Sequence, residues 1–155
     1  MENLISIEVA EKEWSEFLTD NDAQSLIPNR DLVNMKDKDE KDEFEAKKNS
    51  FDRMVKAISK GFLVIENGVI SQKLAYPVVS SDGQKQLEKL VFDQRWTASD
   101  REKILTGLDT KNANEALVAQ RRLCAKLTGV DFIILGKLDS KDLKITDSIV
   151  SVFFM

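Results

Sequence analysis

The sequence predicts an α+β fold: an N-terminal helical arm, a small antiparallel β-meander and a C-terminal layer of three to four helices. Three observations predict it. Apolar residues recur at helical spacing before residue 60, the period changes in two β-branched segments around Asn67-Gly68, and helix-start signals follow one another after residue 96. The 155 residues suit either one continuous domain or an acidic arm over 1–60 and an α+β core over 61–155. Either arrangement is large enough to bury a core without covalent staples.

In SIEVAEKEWSEFL, Ile7, Ala10, Trp14, Phe17 and Leu18 fall on one helical face, which predicts an amphipathic helix over 6–19. Turn formers follow, and Pro28 restricts Ile27 to extended geometry, marking a connection. The mixed charge run KDKDEKDEFEAKK, residues 36–48, reads as a solvated helix face or linker. Behind it Phe44, Phe51, Val55 and Ile58 predict a helix over 40–60, with Gly61 placed just past its end.

GFLVIENGVISQKLAYPVV then predicts a hairpin, strands 62–66 and 69–76 around Asn67-Gly68, because that dipeptide supplies the positive φ angles of a two-residue turn. Ser81-Asp82-Gly83 offers a second turn, and Leu87, Leu90 and Phe92 continue the pattern as a third strand, although LEKLVF also fits a helical turn. Such a meander needs helices over at least one face. Start signals supply them: Thr97 with Asp100, Asn112 with Glu115, Thr128 with Asp131, and Asp139 with Asp142 all have capping-box spacing. The second of these helices carries a stripe of Ala113, Ala116, Leu117, Leu123, Cys124 and Leu127.

The composition narrows the chemistry. There is no histidine, so His-based triads and most zinc sites are excluded, and any catalysis would fall to carboxylates, Lys, Ser or Tyr. Cys124 is the single cysteine and lies in an apolar pattern, which reads as core. No P-loop, GxGxxG, paired CxxC, HExxH or GxSxG occurs, and Asp37, Asp39, Asp42 and Glu43 lack the spacing of a calcium loop. No catalytic, metal or cofactor residues are therefore assigned. Residues 1–50 hold 14 acidic and 7 basic side chains, leaving 13 and 16 for the rest, so the net charge of -4 is an arm of -7 against a remainder of +3. Neither part concentrates a basic patch, and Arg121-Arg122 reads as a solvated helix edge, which argues against a nucleic-acid partner. No apolar run approaches the roughly 20 residues of a membrane span, and the N-terminus lacks a secretory signal, so the expected compartment is the cytoplasm.

The ending DSIVSVFFM, residues 147–155, poses the functional question. On a helical wheel Leu143, Ile145, Ile149, Val150, Val152, Phe153 and Phe154 cover roughly 200°, about twice what one neighbour needs. Either a groove covers this arc, or part of it is a protein-binding or self-association surface, with Ile149, Val150, Phe153, Phe154 and Met155 as candidate contacts.

From residue 62 onward the order of features resembles the tail assembly chaperones of long-tailed bacteriophages. The resemblance rests on VIENGVISQKLAYPV, LEKLVFDQRWTASD, ALVAQRRLCAKLTG, DFIILGKLDSKDL and IVSVFFM, and is closest over KLTGVDFIILGKLDSKDLKITDSIV. Residues 1–60 fall outside it. The resemblance implies a non-enzymatic protein of the infected host cytoplasm, binding the tape measure protein and assisting tail tube assembly, often beside a longer frameshifted product. It implies no catalytic residues. The alternative is an acidic adaptor or regulatory protein-binding module of another system, acting through the arm; a carboxylate-based enzyme is a third.

Overall fold

A computed structural model of the chain describes residues 4–28, 38–109 and 111–153. The chain is α+β, with helices first, then a three-stranded antiparallel sheet, then helices. It divides into two compact units, residues 1–63 with 152–155, and residues 64–151. No helix among the described residues is long and apolar enough to cross a membrane.

The first unit contains α1 (Ile7–Asp20), a 3-10 turn at Gln24–Leu26, and α2 (Lys38–Ser59). Ser6 caps α1 by accepting the Val9 N–H. Ala10, Trp14, Phe17 and Leu18 are buried where α1 packs on α2, whereas Ile7, expected on the same face, is exposed at the first helical position. Trp14 stacks on Phe17, with centroids 5.5 Å apart, and Phe17 meets Phe153 edge-on at 6.3 Å. In α2, Phe51, Met54, Val55 and Ile58 are buried, while residues 38–48 are exposed apart from the half-buried Phe44. The part of the charge run at 36–37 lies outside the described residues. Helix α2 ends in the hydrogen bonds of a Schellman motif, Gly61 N–H to the Ile58 carbonyl and Phe62 N–H to that of Ala57, with Gly61 at φ +82°.

The sheet runs β1 (Leu63–Glu66), β2 (Val69–Val79) and β3 (Lys85–Phe92), in that order. Asn67 at φ 53° and Gly68 at φ 78° make the expected hairpin turn. The second turn is held by Asp82, which accepts from the Ser80 hydroxyl and the Gln84 N–H. The hydroxyl foremost holds its carboxyl below the usual range. β2 pairs with β3 in one register from Ile70↔Phe92 to Lys73↔Lys89, then resumes shifted at Val78↔Leu87. Leu74 to Pro77 therefore face Glu88 alone, and Pro77, which has no N–H to donate, sits where no ladder bond is required.

Four helices follow: α3 (Ala98–Leu105), α4 (Ala113–Thr128), α5 (Phe132–Leu135) and α6 (Ser140–Phe153). Only the first start signal forms both halves of its box, Thr97 and Asp100 exchanging side chain-to-backbone hydrogen bonds. Elsewhere the structure corrects the expectation. Asn112 caps α4 through the Asn114 N–H, but Glu115 accepts from Asp109; Asp131 caps α5, while Thr128 turns back to the Cys124 carbonyl. Arg121 and Arg122 are not an idle edge. Arg122 donates to the Ile104 and Thr106 carbonyls, closing the end of α3, and the Arg121 guanidinium lies 5.0 Å from the Phe132 ring centroid.

Candidate functional site

Helix α6 is placed by a buried polar network. Asp139 caps it by accepting the Lys141 N–H, which leaves Asp142, three positions on, free to turn away from the cap. Only 2% exposed, Asp142 accepts the N–H groups of Ala75 and Tyr76, both at 2.9 Å. These are donors that the β2 bulge removes from the ladder. Gln72 donates to the Asp142 carbonyl at 3.0 Å, and the Thr146 hydroxyl donates to Gln72 Oε1 at 2.7 Å. No buried side-chain N or O among the described residues lacks a partner. A fully satisfied network of this kind fixes one register of helix on strand.

Held this way, α6 forms one wall of a cleft whose others are α4, α5 and the α5–α6 connection. Its volume is about 90 Å³, and its lining includes Leu117, Leu135, Leu138 and Leu143, with Gln120, Arg121, Cys124, Thr146 and Asp147 as the polar members. Leu117 is 56% exposed and Leu143 39%, and Ile133 of α5 is 71% exposed. The exposure of Leu117 departs from the expected α4 stripe: Ala119, Leu123, Cys124 and Leu127 are buried, Ala116 is half-buried, and Ala113 is exposed. The core face therefore turns away from Leu117 within two helical turns.

Burial, aided by the charge of Asp147, pushes the Cys124 thiol up to about 12. That leaves essentially no thiolate near neutral pH and makes Cys124 a wall atom rather than a nucleophile. Asp147 is half-buried, and desolvation raises its carboxyl above the ordinary value. A raised folded-state pKa means the folded chain binds the proton more tightly than the unfolded chain. Ionised Asp147 therefore weakens the fold above that pKa, and the effect fades as pH falls through it. Arg121 and Cys124 from α4 line the same cleft, but the guanidinium is engaged on Phe132. Asp147→Asn is expected to raise the melting temperature at pH 7, with the gain shrinking toward acid; a lower melting temperature at pH 7 would contradict the assignment.

The five contact residues expected from sequence fall in different places. Ile149 and Val150 are 0% and 1% exposed, so of the two alternatives for the arc this part of it is covered rather than on a free face. Phe153 is half-buried against Phe17, and Phe154 and Met155 lie outside the described residues. Among the described residues of the wide apolar arc, Leu143 is the exposed member and Val152 is buried. Among the described residues of the C-terminal helices, the exposed large apolar side chains are Leu117 of α4, Ile133 of α5 and Leu143 at the start of α6; Leu4, Ile7, Val9, Val64, Tyr76 and Val79 are exposed elsewhere.

Among the described residues no group of three or more Cys, Asp or Glu side chains is placed to hold a metal ion. Fold and site define an α+β protein whose C-terminal helices enclose a small, largely apolar cleft flanked by exposed aliphatic side chains. No protein-family model, curated protein or solved structure matches the chain.

Proposed function

We propose that this protein is a non-enzymatic tail assembly chaperone of a long-tailed bacteriophage, binding the tape measure protein and assisting tail tube assembly in the host cytoplasm. The observation that carries the reading is the α4–α6 cleft itself, lined in part by the exposed Leu117 and Leu143, since apolar surface left open around a concavity supports binding of another chain. An amphipathic helix is the fitting partner, because apolar anchors spaced along one face enter such a surface. A long, hydrophobic tape measure chain, as the resemblance implies, needs such a carrier to stay soluble. The net charge of -4 keeps an unbound carrier of apolar surface apart from its own copies.

The alternative is an acidic adaptor acting through the arm, and the exposed first half of α2 is the observation that favours it. Co-expression with the products of flanking genes, followed by affinity capture, tests the two. The chaperone reading expects the tape measure protein to be captured and kept soluble. Failure to capture it, with recovery of an unrelated regulator instead, overturns that reading.

A further inference from the structure

We infer that the α4–α6 cleft receives a single long cationic side chain, Lys or Arg, projecting from the apolar face of a partner helix. The inference rests on the chaperone reading and names what that surface selects. At about 90 Å³ the cleft is well below the roughly 300–1,000 Å³ of small-molecule sites, which fits one side chain rather than a cofactor or a whole helix. Its walls are aliphatic: Leu117 of α4, Leu135 of α5, Leu138 of the connection and Leu143 of α6. Such walls suit a methylene stem, because Lys and Arg lay their carbon chains along apolar surface and extend the charge beyond it.

The charge finds Asp147. Among the described residues its carboxylate has no hydrogen-bond or ion-pair partner; the Ser151 hydroxyl donates to its backbone carbonyl, not to the side chain. Arg121 is the cation nearest at hand on the lining, yet its guanidinium is held over Phe132 and beside Gly136. The desolvated carboxylate, whose proton affinity is already raised, gains most from a cation that enters the cleft with its stem. The Gln120 side chain on the same lining supplies an amide oxygen as a second acceptor.

Binding of two fluorescein-labelled amphipathic peptides of about 18 residues, five helical turns, tests this. Both carry a Leu stripe and Gln elsewhere; one has a central Lys in the stripe and the other has norleucine there. The full-length protein is expected to bind the Lys peptide roughly tenfold more tightly, the worth of one charge-assisted hydrogen bond in partly hydrated surroundings. Asp147→Asn is expected to erase that preference, Asp93→Asn to retain it as a control for net charge, and Leu117→Asp to weaken both peptides. Equal affinities for the wild-type protein, a preference that survives Asp147→Asn, or no binding of either peptide overturns the cleft assignment. Capture of the co-expressed tape measure protein separates the two claims. Wild-type and Asp147→Asn proteins capturing it equally would remove the cleft assignment and leave the chaperone reading standing, whereas no capture by the wild type removes the chaperone reading itself.

Discussion

Truncation after Ser148 is expected to unfold the protein. It removes Ile149, Val150 and Val152, all at most 1% exposed, together with Phe153, whose ring meets Phe17. Trimming one buried aliphatic side chain to Ala costs about 2–5 kcal/mol, and whole domains are stable by only about 5–15 kcal/mol. Loss of several such residues therefore exceeds what the fold holds in reserve. The point substitution Ile149→Ala should stay folded and lose about 2–5 kcal/mol in urea titrations followed by circular dichroism. An unchanged thermal transition in the truncated protein would show that the ending is not core.

The second large effect is expected at Asp142. Its carboxylate accepts two N–H groups that the β2 bulge leaves without ladder partners, and its carbonyl accepts from Gln72. Asp142→Ala removes both charge-assisted bonds and strands the Ala75 and Tyr76 donors, for a loss of about 2–4 kcal/mol. The loss is less than two full bonds could give because Ala75 and Tyr76 are themselves exposed, so water replaces part of the bonding. Asp142→Asn keeps one acceptor oxygen but turns an amide NH2 toward the other donor, so it recovers only part of the loss. If Asp142→Ala melts like the wild type, the network does not fix α6 on the sheet.

Local signals in the sequence carried the elements well, because their chemistry is local. Asn67-Gly68, Gly61 and the Thr97–Asp100 box act within a few residues, and each is where its pattern places it. What local pattern could not carry was the choice between two uses of one residue. Asp142 has the spacing of a cap partner for Asp139, but a β2 bulge 66 residues earlier in the chain offers its carboxylate stronger donors. Nothing in the α6 segment encodes that bulge, which lies where Pro77 interrupts β2.

The exposed part of the α6 arc is hidden from the sequence for a related reason. A helical wheel measures how wide an apolar arc is, not which part of it is covered. It therefore points to the C-terminal end of α6, whereas Leu143 at its beginning is the exposed member among the described residues. Leu117 was visible only as part of the α4 stripe, and Asp147 only as the last charge before an apolar ending. Their meeting in one cleft depends on how α4 and α6 are oriented, a long-range property that spacing does not contain.

Hydrogen–deuterium exchange of the protein alone and bound to the co-expressed tape measure protein tests the central claim most directly, because backbone protection reports where the partner lies. The account predicts slowed exchange in peptides from α4, α5 and the first half of α6, with residues 38–48 of α2 unchanged. Slowed exchange confined to residues 38–48, with the α4–α6 peptides unaffected, would contradict it.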